Sequence, residues 1–319
     1  MITARDLTRT FKTKTGAVEA VRGLSLNVAE GELVAFLGPN GAGKSTSVRM
    51  LTTLLPPTAG SAQVGGHDVV REPAAVRRQI GYVGQGTSSG PYHRVRDELM
   101  TQGRAQRMSA AAARKRADEL LGMLELDGLA NRDCASLSGG QKRRLDVALG
   151  LMHTPRILFL DEPSTGLDPH SRANLWEHIT RIRKQSGMTI FLTTHYLDEA
   201  DTMAERVLIM DHGVMIADET PEKLKAHLAG DTLRITVNDD ARAGKAAELA
   251  RALPDAREVR CEGRTVSVTL RDGEAMLPEL IRRLHRADIE AVSATVKRPT
   301  LDDVFLGLTG RSLREAAAS

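Results

Sequence analysis

The strongest constraint on this chain is the octapeptide Gly38–Pro39–Asn40–Gly41–Ala42–Gly43–Lys44–Ser45, which fits G-x-x-x-x-G-K-[ST]. It follows an apolar run, Leu33–Leu37, and opens a helical stretch, Ser45–Leu55. Each residue type has a physical task. The glycines permit a tight loop whose backbone N–H groups turn inward onto phosphate oxygens, and the positive end of the following helix adds to the attraction. Lys44 is placed to reach β- and γ-phosphates as a point charge, the Ser45 hydroxyl to ligate Mg²⁺, and Thr46 to bond a further phosphate oxygen. At average residue usage a chance match in 319 residues is on the order of one in a hundred. A purely structural glycine turn competes as an explanation, but the strand before and the helix after supply the context that binding requires. The loop implies a nucleoside triphosphate.

A second apolar run, Ile157–Leu160, ends in two carboxylates, Asp161 and Glu162. Ligands of open α/β sheets sit at the carboxyl ends of the strands, so both acids are expected beside the phosphate loop. Asp161 is then a candidate to hold Mg²⁺, directly or through water, and Glu162 to accept a proton from the attacking water. A capping acid before Pro163 is the bland alternative for one acid; the second acid points to hydrolysis rather than switching. Upstream, Leu137–Ser138–Gly139–Gly140–Gln141 precedes a helix through Leu151. Ser138 and Gln141 read as an S-x-x-Q capping box, which leaves two adjacent glycines unexplained, since glycine is poor helix material. They make sense where a helix start must come close to a phosphate. One protomer holds its own γ-phosphate already, so this second anion site implies the nucleotide of a second protomer.

The apolar runs Leu33–Leu37, Ile157–Leu160, Thr189–Leu192 and Arg206–Met210 do not alternate, as in strands buried on both faces of a parallel sheet. Helical stretches Ser45–Leu55 and Pro169–Lys184 follow the first two, which indicates a doubly wound α/β layer. Leu24, Leu26 and Val28 alternate and predict an antiparallel strand covered on one face; Val207–Met210 and Val214–Ala217 predict a hairpin. An Ala-, Arg- and Leu-rich stretch between Glu98 and Gly128 predicts an inserted helical subdomain, about residues 88–150. Beyond residue 228 the order becomes β-α-β-β-α-β, the ferredoxin-like plan of a small α+β domain, expected to span 229–319 after an α/β domain over 1–228. There Thr300-x-x-Asp303 with Leu301, Val304 and Phe305 predicts a capped amphipathic helix, with a dimerisation or regulatory element as the alternative.

Composition narrows the classes further. With 41% hydrophobic and 27% charged residues the chain is not disordered or collagenous. Five Phe, three Tyr and one Trp leave few stacking platforms for single-stranded nucleic acid. The net charge of +3 is small, and the clusters Arg114–Arg116, Lys142–Arg144 and Arg282–Arg283 read as solvated helix faces rather than a nucleic-acid footprint. Cys134 and Cys261 have no metal-ligand spacing and read as reduced thiols. Met1–Leu7 lacks a cationic start followed by an apolar stretch, so no secretory signal is expected, and no apolar run nears the ~18 residues that cross a bilayer. Any membrane role is expected to come through a partner.

Taken together in this order, Gly38–Thr46, Gln85, Leu137–Gln141, Ile157–Glu162 and His195 resemble the nucleotide-binding subunit of an ABC transporter over residues 1–225. Three stretches resemble the ATP-binding subunits of daunorubicin/doxorubicin-resistance exporters: Ser164–Pro169, Thr193–Ala200 and Pro299–Phe305. The resemblance implies a P-loop ATPase domain, a mixed sheet with a helical subdomain, and ATP and Mg²⁺ as ligands. It implies an adenine stack for Phe11, where many members have Tyr. It implies a Mg²⁺ and water contact for Gln85, whose loop meets the membrane subunit and here reads Gly84-Gln85-Gly86 in place of the usual preceding proline. Asp168 falls where an acid links the two protomers' sites, and Ser164 where Thr is common. His195 falls where a histidine bonds the γ-phosphate.

The function so implied is an ATP-hydrolysing motor that homodimerises around two ATP and drives efflux of a drug or lipid-like substrate through an integral-membrane permease on a separate chain. Its place is then the cytoplasmic face of the membrane, held there by the permease, with no nucleic acid. The alternatives are an importer subunit or a soluble ABC ATPase acting on nucleic acid or ribosomes. Against the latter stand the single ATPase domain and the short helical insert.

Overall fold

The computed structural model describes residues 1–14, 16–226 and 230–309. Its internal contacts divide it into two units, Met1–Asp218 and Glu219–Ser319. The boundary expected near residue 228 and the alanine-rich tail after 309 lie outside the described residues.

In the first unit, β1 (Ile2–Thr13) and β2 (Gly16–Val28) precede β3 (Leu33–Leu37), which leads through the glycine-rich loop into α1 (Lys44–Leu51). Then come β4 (Ala59–Val64), β5 (His67–Asp68), α2 (Pro73–Gln79) and β6 (Ile80–Val83). Three helices follow: α3 (Val95–Ala105), α4 (Ala110–Met123) and α5 (Gly139–Leu151). The unit finishes with β7 (Ile157–Asp161), α6 (Pro169–Ser186), β8 (Thr189–Thr194), α7 (Leu197–Met203), β9 (Arg206–Asp211) and β10 (Val214–Glu219).

These strands form two sheets, ordered β2-β1-β4-β5 and β10-β9-β3-β8-β7-β6. In the second, β6, β7, β8, β3 and β9 pair in parallel, and each of β3, β7 and β8 is buried along its whole length. That double-sided burial is why their sequences run apolar without alternation. Phe191 sits between Phe36 and Phe159, with ring centroids 5.7 and 5.6 Å apart, and the three rings anchor the face toward the first sheet's apolar residues. The first sheet is antiparallel, and Leu24, Leu26 and Val28 of β2 are buried alternately, as the alternation predicts.

α1 stops at Leu51, short of the Leu55 read from sequence. Thr53 turns to φ 64°, and its N–H bonds back to the Met50 carbonyl. Two prolines, Pro56 and Pro57, follow within a turn and bar continuation. The helical subdomain is split in the same way by Arg107, at φ 63°, between α3 and α4.

The second unit contains α8 (Pro221–Leu224), β11 (Asp231–Val237), α9 (Asp240–Arg251), β12 (Glu258–Glu262), β13 (Thr265–Leu270), α10 (Gly273–Arg286), β14 (Ala291–Lys297) and α11 (Leu301–Thr309). Its sheet is antiparallel throughout, in the order β12-β13-β11-β14 that a β-α-β-β-α-β chain produces when its two halves interleave. Leu233, Ile235 and Val237 with Val266, Val268 and Leu270 pack one sheet face against Ala246, Ala250, Leu280 and Leu284 of the two long helices. α11 buries Leu301, Val304 and Phe305. Thr300 and Asp303 cap it reciprocally: the Thr300 hydroxyl accepts from the Asp303 N–H (3.2 Å), and Asp303 Oδ2 accepts from the Thr300 N–H (2.9 Å). Among the described residues no helix is long and apolar enough to cross a membrane.

Candidate active site

Four neighbouring parallel strands deliver their carboxyl ends to one edge of the second sheet. β3 ends at the glycine-rich loop, β6 at the Gln85 loop, β7 at Asp161–Glu162 and β8 at Thr194–His195. The sequence separates these residues by up to about 150 positions, and parallel register brings them together.

The loop over Gly38–Gly43 is shaped by close approaches. Gly38 (φ 152°) and Gly43 (φ 106°) are in conformations that disfavour a side chain, and a Cβ at either would run into a backbone carbonyl, of Met210 and Ala20 respectively. Lys44 is buried, and its ammonium donates to the carbonyls of Gly38 (2.5 Å) and Pro39 (3.0 Å). Burial pushes the Lys44 ammonium down from its ordinary value, while Glu162 and Asp161 oppose the shift. Pro39, Asn40, Gly41, Ala42, Gly43, Lys44, Ser45 and Thr46 line one open cavity, together with Ala20, Gln85 and Glu162.

Beside the loop, the Ser45 hydroxyl bonds Asp161 Oδ1 (3.1 Å) and accepts from Gln85 Nε2 (3.3 Å). Ser45 and Asp161 present hard oxygens whose 3.1 Å spacing is close to the edge of an octahedron with ligand distances of about 2.0–2.1 Å, so this pair fits a small divalent cation. Gln85 turns its amide nitrogen toward them and would contribute its Oε1 only with the amide reversed. Glu162 is held in a left-handed conformation, φ 49°, by its N–H, which donates to both the carbonyl (3.0 Å) and the hydroxyl (3.1 Å) of Thr193. Its carboxylate lies 3.3 Å from His195 Nδ1 and accepts from the Thr165 hydroxyl at 3.2 Å. The imidazole first, then Lys44 and the Thr165 hydroxyl, hold the Glu162 carboxyl below the ordinary glutamate range against the opposing effect of burial.

The start of α5 carries the expected capping box. Ser138 Oγ accepts from the Gln141 N–H (3.3 Å), and Gln141 Oε1 accepts from the Ser138 N–H (2.9 Å), with Leu137 buried behind. The two glycines of this turn differ. A Cβ on Gly140 would meet Ser171 Oγ at 2.7 Å, whereas one on Gly139 would touch only Leu167 Cδ2 at 4.0 Å. Asp168 caps α6, accepting from the Ser171 N–H (2.9 Å) and hydroxyl (2.6 Å). Phe11 lies on β1 opposite Val18 and is not among the residues that line the phosphate-loop cavity, and the Arg9 guanidinium covers one ring face at 4.7 Å.

Two contributors escaped the sequence. Thr193 is fully buried, and its hydroxyl donates to Asp161 Oδ1 (2.5 Å) while supporting the Glu162 N–H. Arg143, read as part of a solvated Lys142–Arg144 face, is 7% exposed, so that reading is corrected: the cluster is split between a half-buried flank and a buried centre.

Comparison with known proteins identifies the family. A family model described as "ABC transporter" matches residues 21–165, and one described as "ATP-binding protein DrrA1-3-like, C-terminal domain" matches residues 220–309. The daunorubicin resistance ATP-binding protein DrrA3 of Streptomyces coeruleorubidus is 44% identical over 305 residues, covering 95% of each chain. The doxorubicin resistance ATP-binding protein DrrA of Mycobacterium tuberculosis is 42% identical over 298 residues, 92% of this chain and 89% of that one. A solved ATP-binding cassette, dimeric in a post-hydrolysis state bound to ADP and phosphate, superposes with TM-score 0.63 at 29% identity over 69% of this chain and 98% of its own. The chain therefore belongs to the ABC transporter family, as an ATP-hydrolysing, ATP-binding subunit with a DrrA1-3-like C-terminal domain.

Proposed function

We propose that this chain is the motor of an efflux transporter for a drug or lipid-like substrate, homodimerising around two ATP and Mg²⁺ and driving a permease on a separate chain at the cytoplasmic face of the membrane. The observation that carries the reading is the Glu162–His195 pair, 3.3 Å apart, with Glu162 lining the phosphate-loop cavity. A carboxylate held ionised beside the phosphates is a general base for water, and His195 is placed to orient that water and bond the γ-phosphate. Lys44 and the backbone N–H groups of Gly38–Thr46, Pro39 excepted, hold the phosphates and stabilise charge that develops on them. Ser45, Asp161 and Gln85 would hold Mg²⁺, which would neutralise phosphate charge there. Phe11 stacks on adenine with the ring face that Arg9 leaves open. Leu137–Gln141 with Asp168 form the second half of the site, offered to the partner protomer's ATP. Export as the direction, and antibiotic-like cargo, follow the relatives named for daunorubicin, doxorubicin and linearmycin resistance.

The test is the Glu162→Gln variant. ATP is expected to bind while turnover falls by about 10²–10⁴, the range for losing a general base. With ATP present, the tagged variant drawn from detergent-solubilised membranes is expected to bring down a multi-helix permease. Near-normal hydrolysis removes Glu162 from its role. Recovery of ribosomes or nucleic acid, with no membrane protein, moves the chain to a different class.

A further inference from the structure

We propose that Arg143 and Asp146, one turn apart on α5, are positioning residues that clamp both ends of the Gln85 loop and thereby set Gln85 for hydrolysis. This rests on the ATPase reading above. The loop leaves β6 through Gly84, Gln85 and Gly86, and nothing lies within 4 Å of the place a Cβ would take at Gly86. A loop with a glycine on each side of Gln85 and that much space has little of its own to fix the side chain.

The restraint comes from α5. The Arg143 guanidinium donates to the Gly84 carbonyl (2.7 Å) just before Gln85. Asp146 Oδ1 accepts from the Ser88 N–H (2.8 Å) just after it. The two side chains are 8% and 2% exposed and lie 3.8 Å apart, so each charge has the other as its neighbour. The same guanidinium donates to the carbonyls of Pro163 (2.6 Å) and Asp161 (3.4 Å). One planar group thus ties the exit of β6 to the exit of β7, where the two carboxylates stand, and does so from the helix that Ser138, Gly139 and Gly140 begin.

Burying such a pair is costly, and well-packed apolar residues of similar volume are often as stable or more so. A pair retained there gains by what it holds in place. Both anchors are backbone groups flanking one side chain, and that side chain reaches Ser45 Oγ at 3.3 Å.

The experiment is a double-mutant cycle on the full chain, with steady-state ATPase and equilibrium binding of Mg²⁺-free ATP as paired readouts. Wild-type turnover, and its loss in Glu162→Gln, must be seen first; failure there overturns the ATPase reading and not the clamp alone. Arg143→Ala is expected to lower kcat by about tenfold, within the range for a displacement of under 1 Å. Affinity for Mg²⁺-free ATP should stay within about twofold, because the phosphate loop is untouched. In a Gln85→Ala background the same substitution should cost less than about twofold more, since residues acting as a unit are not additive. Equal Arg143→Ala penalties in both backgrounds overturn the clamp, as does a loss of ATP affinity in parallel with kcat. Asp146 gives a second route where Arg143→Ala folds poorly. Asp146→Asn keeps an acceptor for the Ser88 N–H and should retain most of kcat, whereas Asp146→Ala should show the deficit that Gln85→Ala masks. If Asn and Ala behave alike at position 146, the hydrogen bond to the loop is not what matters and the proposal fails.

Discussion

Gly139→Ala separates what a protomer needs from what its partner needs. Gly139 is the first residue of α5, its φ is not among the positive values, and an added Cβ would meet nothing nearer than Leu167 Cδ2 at 4.0 Å. Within the protomer alanine therefore fits. Gly→Ala at a compatible backbone position stabilises by about 0.4–1 kcal/mol, chiefly by restricting the unfolded chain. For a domain of roughly 150–250 residues each kcal/mol moves Tm by about 2–4 °C, so the nucleotide-free variant should melt about 1–4 °C higher. Gly140 is different: alanine there would press on Ser171, whose hydroxyl and N–H both serve Asp168, so packing inside the protomer already accounts for that glycine.

Among the described residues nothing accounts for Gly139, as expected if the proposed dimer brings a partner's phosphate close to it. A methyl group in that gap displaces the phosphate by about 1 Å, and misplacement on that scale costs up to about 10²-fold in rate. Calorimetry of the free chain and steady-state ATPase should therefore move in opposite directions, with Tm up and turnover down about a hundredfold. Sedimentation of Glu162→Gln should show an ATP-dependent dimer that the additional Gly139→Ala change abolishes. A lower Tm would mean the glycine is needed within the protomer after all. Unchanged turnover together with an intact ATP-dependent dimer would mean no phosphate comes near Gly139.

Thr193→Val removes a hydroxyl that Asp161 and the Glu162 N–H both use, at 2.5 and 3.1 Å, without changing the volume much. Each partner keeps a second hydrogen bond, Asp161 Oδ1 from Ser45 and the Glu162 N–H to the Thr193 carbonyl, so the cost is that of the two lost bonds, about 0.5–1.5 kcal/mol each. Tm should fall by several degrees and turnover with it, and an unchanged Tm in calorimetry refutes the dependence. His195→Ala tests the electrostatics of the base. The native contacts lower the Glu162 carboxyl, so their contribution is present above the ordinary glutamate value of about 4.3 and is lost as pH falls through the depressed one. Removing the imidazole, the largest of those influences, should move the acid limb of kcat upward toward the ordinary value; a limb that stays put refutes the coupling.

The parts of the site that local rules govern were readable in the chain. A phosphate loop needs its glycines and lysine at fixed spacing, a capping box needs its serine and glutamine three apart, and strands buried on both faces must be apolar throughout. Parallel pairing then set Asp161 and Glu162 close enough to Lys44 to bear on its charge, whereas His195, which stands beside Glu162, was legible only through the family resemblance. β1 was harder to read. Its pairing with β2 shifts register between Ala4 and Leu7 and twice more before Thr10, so its side chains lose the strict alternation that marks a strand, and β5, at two residues, has no period at all.

Arg143 was misread for another reason. A cluster Lys142–Arg143–Arg144 resembles a solvated face because charge dominates its appearance, and the carbonyls that receive the guanidinium, at Pro163 and Gly84, are 20 and 59 residues away. The helix itself nevertheless carried a signal. Positions 143, 146, 147 and 150 fall at i, i+3, i+4 and i+7, and Arg143, Asp146, Val147 and Gly150 are all buried. An arginine and an aspartate of opposite charge, one turn apart on the stripe that otherwise faces the core, are unlike a solvated pair, because each must find hydrogen-bond partners inside the protein. The period of α5, taken ahead of the charge of its residues, places both side chains in the interior and makes the backbone groups they meet the question to ask. In this chain two of those groups, the Gly84 carbonyl and the Ser88 N–H, lie on either side of Gln85.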